Sequence, residues 1–350
     1  MRSPVLNEQR NRRILADVVR AYVETGEPIS SRAVSKVHLE ALSPATIRNV
    51  MADLEDEGYL YQPHTSAGRI PTAAAFRFFV QDIAQRATLE NEDREWIDRE
   101  LNAAQTPDEL MERASRVLAA ISHGLGIVIT PPINRTVMEH IRFLLLPDGR
   151  LLVVLIAAGG ITRDKIVRFE HNFTQADLDR TAKFLNTEFK GRTLDDIRAE
   201  LVRRIDTDRE RYDKLAANAL ALCGPEVLDE GSRPQVFVGG AAQMAAAREN
   251  VSQEQLRELM EAIEEKKKLV ALLTSAIETP EPVHVQIGLD EMSAAGRQLA
   301  LISAPYALQE RVQGTLGILG PMRMEYERAI TAIAFMARLF GEKLEGSNHS

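Results

Sequence analysis

Apolar residues recur at helical spacing through the first eighty positions. Ile14, Leu15, Val18, Val19, Tyr22 and Val23 form one stripe and predict a helix from a cap at Asn7 to about Glu24. Thr25-Gly26-Glu27-Pro28 ends it, with Gly26 suited to a left-handed cap. Ser30 or Ser31 caps a short second helix bearing Ala33, Val34 and Val37, and a tight connection runs from His38 to Leu42. Ser43-Pro44 opens a third helix, with proline where a missing N–H costs nothing. Ile47, Val50, Met51 and Leu54 give it a buried face; Ala45, Arg48, Asn49 and Ala52 lie opposite, with Thr46 beside them. Gly58 to Gln62 and Arg69 to Pro71 then read as two short strands around a polar loop, a wing-like hairpin. Thr72 caps a fourth helix through Phe76, Phe79, Val80 and Ile83. Tyr59, Tyr61, Phe76 and Phe79 are assigned to the core, and the acidic run 53–57 to a solvated face.

The pattern changes downstream. Residues 84–106 are charged and helical, a connector holding the sole tryptophan, Trp96. Thr106-Pro107-Asp108-Glu109 is a capping box opening a helix through Leu110, Val117, Leu118 and Ile121. Strands follow at 126–130, 135–146, 151–158 and 161–169, with Pro147-Asp148-Gly149 and Ala157-Ala158-Gly159-Gly160 as turns. From Thr174 to Cys223 the pattern is helical, with caps at Thr174 and Thr193. A short strand at 235–238 and a helix from Ser252 to about Ile277 precede strands at 283–289, 298–304 and 314–319 and a last helix to about Phe340. A β-rich pattern that is interrupted by helices and then resumes predicts an α+β domain carrying an insertion, its edges near 172 and 250.

Composition narrows the class. Apolar residues are 45% and charged residues 27% of 350, as in an ordinary soluble, cytoplasmic, multidomain protein. The start lacks the apolar segment of a secretory signal, and the longest apolar run, Leu151 to Ile161, is too short to span a bilayer. One cysteine, Cys223, excludes an internal disulfide or a multi-cysteine metal site. No pair of histidines has ligand spacing, so no metal and no cofactor is expected. No nucleophile or P-loop motif occurs, so no catalytic residue is assigned. Gly314, Gly317 and Gly320 read as strand edge and turn more readily than as an anion cradle.

Charge is uneven. Residues 1–80 carry ten Lys/Arg against nine Asp/Glu, on a chain whose net charge is −8. The third helix is polarised: Thr46, Arg48 and Asn49 lie in its first half, and Asp53, Glu55 and Asp56 in its second. Phosphates repel the acidic half, so such a helix approaches DNA by its amino-terminal end, as the second helix of a helix-turn-helix does. His64 and Arg69 of the wing are placed to meet phosphate or minor groove. A protein-binding module built from the same elements is the alternative.

The segments LNEQRNRRIL, YVETGEPISSRAVSK, LSPATIRNVMADLEDEGYLYQPHTSAGRIPT and FRFFV resemble the heat-inducible transcription repressor HrcA family of bacteria over most of residues 6–80. The rest of the chain fits that family in length and order, and Ala73-Ala74-Ala75 is a local difference. The resemblance implies a dimeric repressor of chaperone operons that binds an inverted-repeat operator called CIRCE and is activated by the chaperonin GroEL. It also implies a winged helix-turn-helix followed by a GAF-like domain, with a dimerising domain inserted. The expected divisions are 1–83 for DNA binding and 84–106 for the connector. The discontinuous GAF-like domain takes 107–171 and 251–342, the insertion 172–250, and a flexible tail 343–350. Arg48 and Asn49 are expected to read bases, with Ala45 and Thr46 near a thymine methyl. Arg12, Arg13, Ser31, Arg32, Ser43, His64, Thr65, Ser66 and Arg69 are expected to hold phosphate or build the wing. A small-molecule sensor in the GAF-like part and an enzyme in residues 107–340 are the competing readings.

Overall fold

The amino-terminal stripes fold into helices that share one core. A computed structural model of the chain describes residues 6, 8–37, 42–65, 67–83, 88–131, 133–135, 137–168, 173–207, 213–228, 234–241, 270, 271, 273, 281–289, 299–308 and 311–346. Helix α1 (Gln9–Thr25) buries Ile14, Leu15, Val18 and Val19. Gly26, at φ 71°, closes it in the left-handed conformation and donates its N–H to the Tyr22 carbonyl. Asn7 lies outside the described residues; Glu8 holds the N-cap position and its side chain makes no capping bond. Helix α2 (Ser31–Val37) is capped by Ser30, whose Oγ accepts the Ala33 N–H at 3.2 Å. Only Val34 of its expected stripe is buried. Ala33 and Val37 are exposed, because the inward positions of this short helix are Ser31 and Val34.

Helix α3 (Pro44–Asp56) buries Ile47, Val50, Met51 and Leu54, the face its spacing dictates. Strands β1 (Leu60–Tyr61) and β2 (Ile70–Pro71) pair antiparallel, and Ile29 bridges to Arg69 as a third edge. Tyr61, expected in the core, is 47% exposed: neighbours on a strand point to opposite faces, and Leu60 takes the inner one. Thr72 does not cap α4 (Ala73–Ile83) with its hydroxyl, which instead donates to the Gly58 and Tyr59 carbonyls at 2.8 and 3.1 Å. Phe76 and Phe79 are buried.

Helix α5 (Asn91–Asn102) lays Ile97 and Leu101 on this core, and α6 (Pro107–Ser122) starts at Thr106, whose Oγ1 accepts the Glu109 N–H. Strand β3 (Leu125–Ile129) follows. Next come β4 (Met138–Leu145), β5 (Arg150–Ala157) and β6 (Thr162–Arg168), a meander of three antiparallel strands. Helices α7 (Gln175–Glu188), α8 (Leu194–Thr207), α9 (Asp213–Leu222) and α10 (Pro225–Leu228) complete that unit. Its core is its own, running from Ile133 to Leu228 through Met138, Phe143, Leu155, Leu185 and Leu201.

Strands β7 (Val236–Gly239), β8 (His284–Ile287), β9 (Leu299–Leu308) and β10 (Arg311–Pro321) precede the last helix, α11 (Tyr326–Gly346). They join β3 in a five-stranded antiparallel sheet of order β7-β3-β10-β9-β8. Val128, Ile302, Leu316 and Ile318 face α6 and α11, in one cluster with the amino-terminal helices. Leu125, Ile127, Leu301 and Leu319 face the other way, onto Leu273. The expected helix 252–277 lies outside the described residues except at 270, 271 and 273.

This grouping departs from the expected divisions. The sequence pattern puts β4–β6 in the main α+β domain, yet they pack with α7–α9. The pattern puts β7 in the insertion, yet Val236 pairs with Ile129 of the larger sheet. Arg163 of β6 fastens the two units, donating to Thr130 Oγ1 at 2.7 Å and to the Gln235 side chain. The expected tail also begins too early: α11 continues to Gly346, with Lys343 3.4 Å from Asp98, and only 347–350 fall outside the described residues.

Candidate nucleic-acid interface

Ser43 sets the start of α3. Its backbone is extended (φ −64°, ψ 148°), and its Oγ accepts the Thr46 N–H at 3.1 Å and bonds Thr46 Oγ1 at 2.9 Å. Because Ile47, Val50, Met51 and Leu54 face inward, helical geometry turns Ala45, Arg48 and Asn49 outward, and all three are exposed. Thr46 is half-buried behind them. A helix amino terminus carries a partial positive charge, so this end favours anions. Asp53, Asp56 and Glu57 are exposed at the far end, roughly 10 Å along the axis at 1.5 Å per residue. Ser35 Oγ donates to the Leu42 carbonyl at 2.8 Å and fixes how α3 leaves α2.

The other expected residues surround this end unevenly. Arg13 and Arg32 are exposed, while Arg12 is half-buried with its Nε donating to the Leu6 carbonyl. Ser31 is 8% exposed and faces the core. His64 and Thr65 are exposed at the hairpin tip; Ser66 lies outside the described residues.

Arg69 is turned inward. Its side chain is 14% exposed, and its Nε donates to Glu55 Oε2 at 2.8 Å. The second Glu55 oxygen accepts the Gln62 N–H at 3.0 Å. One carboxylate therefore holds both ends of the 62–69 loop to α3, so Glu55 is not part of a solvated acidic face. Gln62 Nε2 crosses the loop to the carbonyls of Ala67 and Thr65, at 2.7 and 3.2 Å. A Cβ on Gly68 would lie 2.5 Å from the carbonyl oxygens of Pro28 and Ile29, so the loop packs backbone to backbone. Sequence reasoning missed Glu55 and Gln62; an acidic run and a lone glutamine carry no periodic signal.

Elsewhere the chemistry is sparse. Among the described residues no group of three His, Cys, Asp or Glu side chains is placed to hold a metal ion. Gly314, Gly317 and Gly320 lie within β10 and form no loop ahead of a helix. Among those residues no helix is long and apolar enough to cross a membrane.

Comparison with known proteins gives a consistent picture. A family model described as the HrcA protein C terminal domain matches residues 108–330. A heat-inducible transcription repressor HrcA from Geobacter sulfurreducens is 35% identical over 339 residues, covering 97% of this chain and 98% of the relative. The protein of that name from Syntrophobacter fumaroxidans is 32% identical over 339 residues, covering 96% and 97%. That from Xanthomonas euvesicatoria pv. vesicatoria is 34% identical over 343 residues, covering 98% and 97%. A crystal structure of a hypothetical protein superposes with a TM-score of 0.61 at 22% identity, over 97% of this chain and 99% of that one. At that identity the likeness shows a shared fold.

Proposed function

The chain belongs to the HrcA family of heat-inducible transcription repressors, a family of regulators and not of enzymes, and from that premise we propose that it represses chaperone operons by binding a CIRCE-type inverted repeat as a cytoplasmic homodimer. The observation that carries this reading is the outward face of α3: Ala45, Arg48 and Asn49, exposed at a helix amino terminus and backed by an acidic second half that phosphates repel.

Residues 1–83 act as the winged helix-turn-helix. Arg48 and Asn49 read base edges, with Ala45 and Thr46 against a thymine methyl. Arg12, Arg13, Arg32 and Ser43 meet phosphates, and His64 and Thr65 stand at the wing tip. Ser31 and Arg69 act from behind, Ser31 by packing the start of α2 and Arg69 by holding the wing to Glu55.

The five-stranded sheet with α6 and α11 is the GAF-like domain, and the unit built from β4–β6 and α7–α10 is the inserted dimerising unit. Its meander supports this assignment. Leu144, Leu152 and Ile166 are register partners in one cross-strand row on the side away from α7, and Ile166 is 49% exposed. A second copy would cover that row, and a two-fold axis there matches an inverted repeat. GroEL is proposed to raise the active fraction of the repressor by assisting its folding.

Fluorescence anisotropy tests the reading, with labelled CIRCE and scrambled duplexes across a salt series. Two chains per duplex, preference for CIRCE and a steep salt dependence are expected. Equal, weak binding to both duplexes, unchanged when the protein is refolded with GroEL, would overturn it.

A further inference from the structure

The amino-terminal unit packs on the body through a shared apolar core, with Arg77 donating to the Ile287 carbonyl at 3.2 Å on one side and the turn before α11 gripping the end of α1 on the other. Helix α1 has no basic residue in its last turn, so its terminal carbonyls lack a cation of their own. Arg323, in the turn between β10 and α11, supplies it. Its Nε donates to the Val23 carbonyl at 2.8 Å, and its Nη2 to that of Glu24 at 3.2 Å. Gly26 is required by φ 71°, and a Cβ there would lie 2.0 Å from Nη1 and push the guanidinium off these carbonyls.

The neighbouring contacts run along the same turn. Glu327 accepts from Arg20 Nε and Nη2 at 3.0 and 2.8 Å. Tyr326, buried, packs against Phe76 at 5.9 Å between ring centroids, the rings tilted by 48°. Beside them the junction is open, leaving a cleft of about 710 Å³ between α1, Phe79, residues 88–93 and the start of α11.

We propose that Met322–Arg328 is a clasp that fixes how the DNA-reading unit is oriented on the body, with Arg323 as its positioning residue. An apolar contact alone permits sliding. A planar guanidinium donating to two successive carbonyls specifies one angle. The clasp grips the carboxyl end of α1 and leaves Ala45, Arg48 and Asn49 exposed, so it presents the reading face. In a dimer this pre-sets the separation of two reading helices, and the cost of ordering them is met on folding instead of on binding.

This inference rests on the inverted-repeat reading above, and its test separates the two. Arg323→Ala and Arg323→Lys are compared with the parent chain by anisotropy on a full CIRCE duplex and on a duplex holding one half-site. Arg323→Ala is expected to lose about 10-fold in affinity on the full site and to stay within about twofold on the half-site. Arg323→Lys, which keeps the charge without the fork, should fall between. Unchanged or tighter full-site binding by Arg323→Ala overturns the clasp, and so does an equal loss on both duplexes. If the parent chain shows no preference for the repeat, the functional reading fails. Small-angle scattering of the free proteins then decides the clasp alone: a larger radius of gyration for Arg323→Ala supports it, and superimposable curves overturn it.

Discussion

Removing the Glu55 carboxylate tests whether one side chain holds the β1–β2 hairpin to α3. In Glu55→Ala, the half-buried Gln62 N–H and the mostly buried Arg69 guanidinium lose their acceptor together. Hydrogen bonds to charged groups contribute about 1.5–3 kcal/mol each, and solvent screening of this partly exposed pair discounts these two to about 1 kcal/mol apiece. A net loss of about 2 kcal/mol follows, against roughly 0.5 kcal/mol or less for an acidic residue on a solvated face. Glu55→Gln keeps an oxygen for Gln62 and loses the ion pair, so about 1 kcal/mol is expected. Urea unfolding followed through Trp96 reads this, because Trp96 packs on the cluster that the amino-terminal helices share. A double-mutant cycle with Arg69→Ala should return a coupling of about 1 kcal/mol. Both single variants within roughly 0.5 kcal/mol of the parent, with additive effects, would refute the reasoning. On DNA, Glu55→Ala should weaken binding to every duplex alike, since a displaced wing loses phosphate contacts and no base contact.

Three further outcomes are expected. Arg48→Ala should cost about 1–3 kcal/mol on the CIRCE duplex and relax preference at one base pair, measured with a panel of substituted duplexes; an equal loss on all of them would make Arg48 a phosphate contact. Ile166→Asp places a carboxylate in the Leu144–Leu152–Ile166 row, and sedimentation velocity should show monomer with unchanged circular dichroism, whereas a retained dimer would put the interface elsewhere. Burial pushes the Cys223 thiol up to about 12 from an ordinary 9.0, so the native chain should resist a thiol reagent at pH 8 and react once unfolded. The folded state holds that proton longer than the unfolded one. Its contribution is therefore present at neutral pH and is lost as pH rises from about 9 toward 12, and Cys223→Ala should flatten that alkaline slope.

What the sequence discloses is local. The α3 stripe, its Ser43 cap, the Gly26 stop and the Thr174 capping box each follow from residues within a turn or two of one another, and each stands where the spacing puts it. The Pro147-Asp148-Gly149 turn is likewise legible, with Gly149 at φ 78° and the Leu146 N–H donating to the Arg150 carbonyl. Partnership across the chain is not. Alternation tells which face of a strand is buried but not which strand lies beside it, so β7 read as part of the insertion until its pairing with β3 placed it in the larger sheet. The candidate interface divides the same way. Exposure of Arg48 and Asn49 follows from period alone, whereas the inward turn of Arg69 depends on Glu55, fourteen residues away. Arg323 is further removed still, lying 300 residues from the helix whose carbonyls it holds.

The pairing of Ile129 with Val236 has a consequence for how this architecture can change. The chain leaves β3 and re-enters at β7 on adjacent antiparallel strands, about 5 Å apart. Topologically, everything between them is one oversized hairpin loop. The closure penalty of a loop grows only with the logarithm of its length, so a two-residue turn and a folded unit of this size are alternative solutions to the same connection. The unit that is proposed to set the spacing of two copies can thus be resized or exchanged by recombination without disturbing a strand of the larger sheet or a residue of α3. On the function proposed above, spacing and base recognition would be separately heritable traits on one polypeptide.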